Sequence, residues 1–229
     1  MKGILLIDKP DGWTSFDVVN YVRKMVARID GKKPRNVKCG HSGTLDPAAT
    51  GLLVLAVGRE YTRQMPTMIK HDKTYEVELT LGYTSTTGDR EGELTLVSDV
   101  DPMGNDVARA IESFVGESMQ LPPKFSALKI NGKRAYELAR EGKEVVLQPR
   151  KITIHSIEDL MYNYPKVTFT ASVGSGTYIR SLAEDIGTKL GTGAYMSNLR
   201  RTVVGDMSIA KAIEVSELTD EILHKTLVD

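Results

Sequence analysis

Cysteine occurs once in this chain of 229 residues, at Cys39. A lone thiol cannot close an internal disulfide, and it leaves the four histidines without the sulfur partners of a structural zinc site. Cys39 and His41 stand two positions apart, but a metal site needs further ligands at a workable spacing, so no metal is expected. Net charge is absent as well. Thirty Lys plus Arg balance 30 Asp plus Glu, which taken alone speaks against a nucleic-acid binder. Long apolar runs are missing too: the opening MKGILLIDKPDG has only residues 4–7 before Asp8, too short and wrongly flanked for a signal peptide, and no later stretch reaches membrane-spanning length. A globular, cytoplasmic protein without membrane contact is expected, and 41% hydrophobic residues suffice for a sizeable core.

The neutral average conceals a segregation of charge. Residues 21–41 carry Arg23, Lys24, Arg28, Lys32, Lys33, Arg35 and Lys38 against only Asp30. Residues 124–151 carry eight basic residues, among them Lys129, Lys133 and Arg134, against three glutamates. Residues 84–120 are acidic, and so are the last sixteen. Such a distribution fits a protein with one phosphate-facing side. Two solvated basic faces that touch nothing would explain the charge equally well.

Periodicity predicts an α+β chain with sheet-forming segments along its length. Residues 3–7 read as a strand, and Thr14 or Ser15 can cap a helix with Val18, Val19, Val22, Met25 and Val26 at helical spacing. Residues 52–57 form an apolar run of strand length, implying burial on both faces. A short helix is expected over 61–69 despite Pro66. From Tyr75, apolar and polar residues alternate as in a strand with one wet face. A loop, STTGDREGE, precedes a helix with Val107, Ile111, Phe114 and Val115 on one side. A basic unit follows, with a turn at Asn131-Gly132 and a short helix near 135–140. Strands are expected over 152–160 and 167–173, a helix after GSG with Ile179, Leu182, Ile186 and Leu190, a strand over 203–209, and a short acidic helix at the end.

The stretch GHSGTLDPAATG, residues 40–51, isolates one acid, Asp46, among small, apolar and hydroxyl residues. Its commonplace reading is the N-cap of a short helix with Pro47 at the first helical position. Its functional reading is a carboxylate held in a dry, rigid place, where Gly40 and Gly43 let backbone approach a substrate, able to act as nucleophile or base. A carboxylate kept ionised away from water needs a cation. Arg180, in GSGTYIR near the start of a helix, is the candidate, although an exposed helix arginine is the commoner role for such a residue. Tyr75 is either an aromatic at the core edge or a ring that stacks a nucleobase and accepts a proton through its phenolic oxygen. His41 is either a turn residue or a wedge into a nucleic-acid stack.

Together, GHSGTLDPAATG, the strand KTYEVELTLG, the segment PPKFSALKINGKRAYELAREG, the block GTYIRSLAEDIG, and LRR at 199–201 resemble the bacterial TruB family of tRNA pseudouridine synthases. The opening ILLIDKPDGWTSFDVV resembles that family's first motif. These motifs occur in the family's order over residues 3–209.

The resemblance implies a mixed, mainly antiparallel central sheet of the pseudouridine synthase fold, with flanking helices and a basic thumb-like insertion. The catalytic domain would span 1–210, including a mobile RNA-binding insertion at about 121–149. It implies isomerisation of the T-loop uridine of tRNA (U55) to pseudouridine by base flipping, with no cofactor and no metal, by a monomer whose partner is the T-arm and T-loop. Asp46 matches the essential aspartate, thought to attack ribose or ring or to assist an elimination, and these routes stay open. Tyr75 matches the tyrosine that stacks on the target base, and Arg180 the arginine paired with the aspartate. Tyr178 and Leu199 match pocket-lining residues, and His41 the histidine that holds the T-loop open. Lys9 of the first motif and Lys129, Lys133 and Arg134 of the insertion are assigned to RNA binding.

Ser42 and Phe125 depart from the family's more usual threonine and tyrosine. The residues after Arg201 are few, so the usual C-terminal RNA-binding (PUA) domain is expected to be absent or reduced to the acidic segment 211–229, weakening contact with the acceptor end. Two other functions compete: a tRNA-folding chaperone that depends little on catalysis, and a guide-dependent rRNA pseudouridine synthase.

Overall fold

The computed structural model describes residues 1–126, 128–130, 133–135 and 147–227. In chain order the elements are β1 (Gly3–Lys9), α1 (Ser15–Ile29), β2 (Cys39–His41), β3 (Thr50–Val57), α2 (Arg59–Thr62), α3 (Met65–Met68), β4 (Lys73–Leu81), β5 (Tyr83–Ser85), β6 (Leu94–Leu96), α4 (Gly104–Glu112) and β7 (Gly116–Gln120). There follow β8 (Lys129–Ile130), β9 (Lys133–Arg134), β10 (Arg150–Asn163), β11 (Lys166–Val173), α5 (Ile179–Leu190), β12 (Ala194–Val204), β13 (Met207–Ser208), β14 (Ile213–Glu214) and α6 (Asp220–Thr226). The chain divides into two compact units, 1–75 with 200–229, and 76–199, passing from one to the other inside β4 and returning inside β12.

In the first unit the strand order is β14-β1-β3-β12, with β2 and β13 at the flanks. β1 and β3 run antiparallel in register from Gly3↔Val57 to Lys9↔Gly51, whereas β14 joins β1, and β12 joins β3, in parallel. Residues 51–57 are buried throughout, as an apolar run covered on both faces requires. One face of the β1–β3 pair packs Leu5, Ile7, Leu53 and Leu55 against Val18, Val22 and Val26 of α1. The other packs Leu52 and Val54 against Val204. Thr14, not Ser15, caps α1: its hydroxyl accepts from Asp17 N–H and Asp17 reaches back, a capping box.

The second unit has the order β12-β4-β11-β10-β7, with β10 antiparallel to both β11 and β7. On β4 the odd residues from Lys73 to Leu81 are buried, the period of two that sequence alternation implies. α5 ends at Gly191 in the left-handed conformation (φ 71°), open to glycine without a Cβ penalty. The chain is thus α+β with a mixed, mainly antiparallel sheet.

Three expectations change. The helix over 61–69 is two single turns, because Pro66 has no N–H to continue a helix and is accommodated at the start of α3. Phe114 and Val115 lie beyond the end of α4, and Val115 is exposed. The strand placed at 203–209 is instead β12, starting at Ala194, followed by the short β13. Within the basic insertion β8 and β9 pair antiparallel, with Lys129 opposite Arg134. The helix near 135–140 lies, after Ala135, outside the described residues, and so does about half of the segment expected to be mobile.

Candidate functional site

Asp46 does not cap a helix. The chain makes one turn, closed by Ala49 N–H donating to the Asp46 carbonyl at 3.1 Å, and then enters β3. The commonplace reading of the DP pair therefore fails, and the half-buried Asp46 side chain sits on a loop held at both flanks.

Four anchors hold that loop. Ser15 is buried, and its hydroxyl bridges both backbone groups of Leu45, accepting from N–H at 2.8 Å and donating to C=O at 2.9 Å. Because Thr14 takes the capping position, the Ser15 hydroxyl is available for this contact. The Lys9 ammonium donates to the carbonyls of Pro10, Trp13 and Pro47, and Gly12 N–H also donates to Pro47. Arg201, 1% exposed, donates through Nε to the Leu52 carbonyl at 2.8 Å and through its terminal nitrogen to Gly43 at 3.1 Å. Gly51 (φ 100°) makes the close approach possible, since a Cβ there would collide with the Arg201 backbone.

This corrects the assignment of Lys9. A fully buried ammonium on three carbonyls cannot also meet a phosphate, so Lys9 braces the Asp46 loop from below. Lys73 lies near the same loop, its ammonium on the Ile69 and His71 carbonyls. Burial, and then the neighbouring Arg201, push its pKa down to about 8. Tyr75 is buried on β4, and His41 is half-buried at the end of β2.

Arg180, at the second position of α5, is 6% exposed rather than a surface cation. Its guanidinium donates to the carbonyls of Thr87 at 3.0 Å and Phe125 at 2.8 Å and lies 3.6 Å from the Asp89 carboxylate. Asp89 is itself buried, accepting from the Thr87 hydroxyl and Glu91 N–H. Nearby Glu184 has its carboxyl pKa raised, by burial first and then by Asp185. Tyr178 precedes α5; its backbone exchanges hydrogen bonds with the Gln120 amide (2.8 and 3.0 Å), and its ring lies 4.6 Å under the Arg150 guanidinium. Leu199 is buried on β12. Lys129, Lys133 and Arg134 are placed on the β8–β9 backbone only.

The structure therefore gathers Asp46, Tyr75, His41 and Lys9 in the first unit and Arg180, Tyr178 and Leu199 in the second. Sequence reasoning missed Ser15, Arg201 and Asp89. The first was visible as one of two capping candidates, the second within LRR; Asp89 had no signal beyond a loop of polar residues. Among the described residues no cluster of His, Cys, Asp or Glu could hold a metal ion.

The family model "TruB family pseudouridylate synthase (N terminal domain)" matches residues 31–179, and "tRNA pseudouridylate synthase B C-terminal domain" matches 180–229. The tRNA pseudouridine synthase B of Clostridium kluyveri is 45% identical over all of this chain and 76% of its own length. That of Dechloromonas aromatica is 44% identical over 95% of this chain and 70% of its own. Among solved structures, a chain of a Cbf5-Nop10-Gar1 complex is 29% identical with a TM-score of 0.70, covering 96% of this chain. A chain of an H/ACA RNP bound to a substrate RNA containing 2'-deoxyuridine is 28% identical with a TM-score of 0.69, again over 96% of this chain. This chain spans about half the length of those two, 54% and 53%.

Proposed function

The chain belongs to the TruB family of pseudouridylate synthases, and from that premise we propose how its residues turn a uridine of tRNA into pseudouridine. The bond from ribose C1′ to N1 breaks, C1′ joins C5 of the same base, the C5 proton passes to solvent and N1 takes up a proton in its place, so the atoms balance without a co-reactant. The target is the T-loop uridine. A base stacked inside a loop is unreachable, so the nucleotide is flipped out at a cost of about a few kcal/mol, offset by stacking and phosphate contacts. The basic segments at 21–41 and 124–151 supply the phosphate contacts.

Asp46 is the essential carboxylate. Arg180 is the counter-charge that keeps it ionised and oriented, Tyr75 stacks on the flipped base and assists removal of the C5 proton, Tyr178 and Leu199 line the pocket, and His41 holds the opened loop. The observation that carries this reading is the anchoring of the Asp46 loop by Ser15, Lys9 and Arg201. Rigidity of that kind serves chemistry, where a misplacement of about 1 Å can cost 100-fold, and a tRNA chaperone has no use for it. Identity of 44–45% to tRNA pseudouridine synthases, against 28% to a chain of an H/ACA RNP, favours free tRNA as substrate. The protein works as a monomer in the cytoplasm, with its substrate.

The test uses tRNA tritiated at uridine C5. Wild type should release tritium and modify the T-loop position, and Asp46→Asn should bind tRNA and release none. Release that survives the substitution ends the role of Asp46, and modification mapped elsewhere ends the T-loop assignment.

A further inference from the structure

At one end of the β1–β14 pair the first unit carries a cavity of about 520 Å³, within the size range of small-ligand sites. Asp46, Tyr75 and His41 are not among its lining residues, so the reaction proposed above leaves it without a role. Its lining includes Trp13 and Tyr21, whose rings meet edge to face at 5.8 Å and 78°. That corner offers a flat guest one ring face to stack on and one ring edge beside it.

The charges of the lining define the guest's edge. Asp8 and Arg200 form a two-pronged ion pair at 2.5 and 3.2 Å, and the Lys9 ammonium is directed onto three carbonyls. Glu214, level with Asp8 across the β1–β14 pairing, is exposed and has no ion pair among the described residues; it accepts one hydrogen bond, from Ser216. A free carboxylate repels phosphate and accepts from N–H donors. Arg200 is 37% exposed and can still donate beside it. A planar heterocycle with adjacent N–H donors on one edge and carbonyl or ring-nitrogen acceptors on another satisfies aromatic corner, carboxylate and guanidinium together. Guanine has that arrangement: N1–H and N2–H₂ for Glu214, O6 and N7 for Arg200. Uracil has one ring N–H on its pairing edge, and the pairing edges of adenine and cytosine each supply one amino donor group.

We propose that this cavity binds an unstacked guanine base, presented by an RNA chain or by a free nucleoside.

Trp13 is the one tryptophan of the sequence, so its emission reports on this cavity directly. The full chain is titrated with guanosine, adenosine, cytidine and uridine to about 1 mM, and with single-stranded tetranucleotides containing or lacking guanine. Saturable quenching by guanosine but not by the other nucleosides is expected. Glu214→Gln, at an exposed position, should weaken it about tenfold or more, the value of a two-point base contact. Saturation by the guanine tetranucleotide and not by guanosine would assign the guest to an RNA chain; saturation by both would extend the site to free nucleoside. Absence of saturable quenching by either, equal quenching by all four bases, or an unchanged titration in Glu214→Gln would overturn the proposal. The readout involves no isomerisation, so it stands apart from any test of Asp46.

Discussion

Arg201 of the first unit and Arg180 of the second are almost equally buried, at 1% and 6% exposure, yet their surroundings differ in kind. The described hydrogen-bond acceptors of Arg201 are neutral: the carbonyls of Leu52 and Gly43. Arg180 has two carbonyls and also the Asp89 carboxylate. A guanidinium on carbonyls alone is a strut whose geometry does not depend on another group's ionisation. A guanidinium beside a carboxylate belongs to a charge network, and its orientation and field respond to every acid within reach. The molecule thus keeps mechanical support of the Asp46 loop separate from management of charge.

Substitutions can break that comparison. The largest effect is expected for Arg180→Met, which leaves Asp89 buried without its cation and withdraws the proposed counter-charge of Asp46. Stability should fall by about 3–5 kcal/mol in denaturant titration, and kcat for tritium release should fall about 100-fold or more, with tRNA affinity changed far less. Arg201→Met should cost about 2–4 kcal/mol through two orphaned carbonyls. Its loss of kcat should be smaller than that of Arg180→Met, and Arg201→Lys should restore part of it. Equal kcat losses for the two methionine variants, with stability matched by conditions, would dissolve the distinction between strut and charge network.

The smallest effect sharpens the comparison through pH. Lys73, pushed down to about 8 in the fold by burial and then by Arg201, has an ordinary value of 10.5 when unfolded. Below pH 8 both states hold the proton, and the penalty for the buried charge is fully present. Between pH 8 and 10 the unfolded state holds more protons, so stability rises with pH. Relative to Lys73→Met, wild type should gain about 1.4 kcal/mol per pH unit across that window, read from paired urea titrations. A flat difference would mean that the fold does not push the Lys73 ammonium below its ordinary value.

Much of the fold was readable because it rests on local periodicity. The alternation from Lys73 to Leu81, the apolar run of β3 and the spacing of Val18, Val22 and Val26 each report which face an element buries, whatever it packs against. Where reading failed, the deciding contacts were distant. Pro66 broke a helix whose apolar residues alone would have continued it, and β12 begins nine residues before the strand expected at 203. In the candidate site, the unusual setting of Asp46 was visible, but the bonds that brace it come from Ser15, about thirty positions earlier, and Arg201, more than 150 later. Lys9 was assigned outward to RNA because a lysine in a motif gives no sign of which way its ammonium turns.

By itself the amino-acid sequence determined the identity and spacing of the chemical groups and the faces of the helices and strands that carry them, since both follow from a period set by backbone geometry. Only the tertiary structure decided which polar groups leave water, and hence which cations become struts. That choice depends on backbone carbonyls brought together from segments far apart in the chain, and a buried donor stays where such acceptors await it.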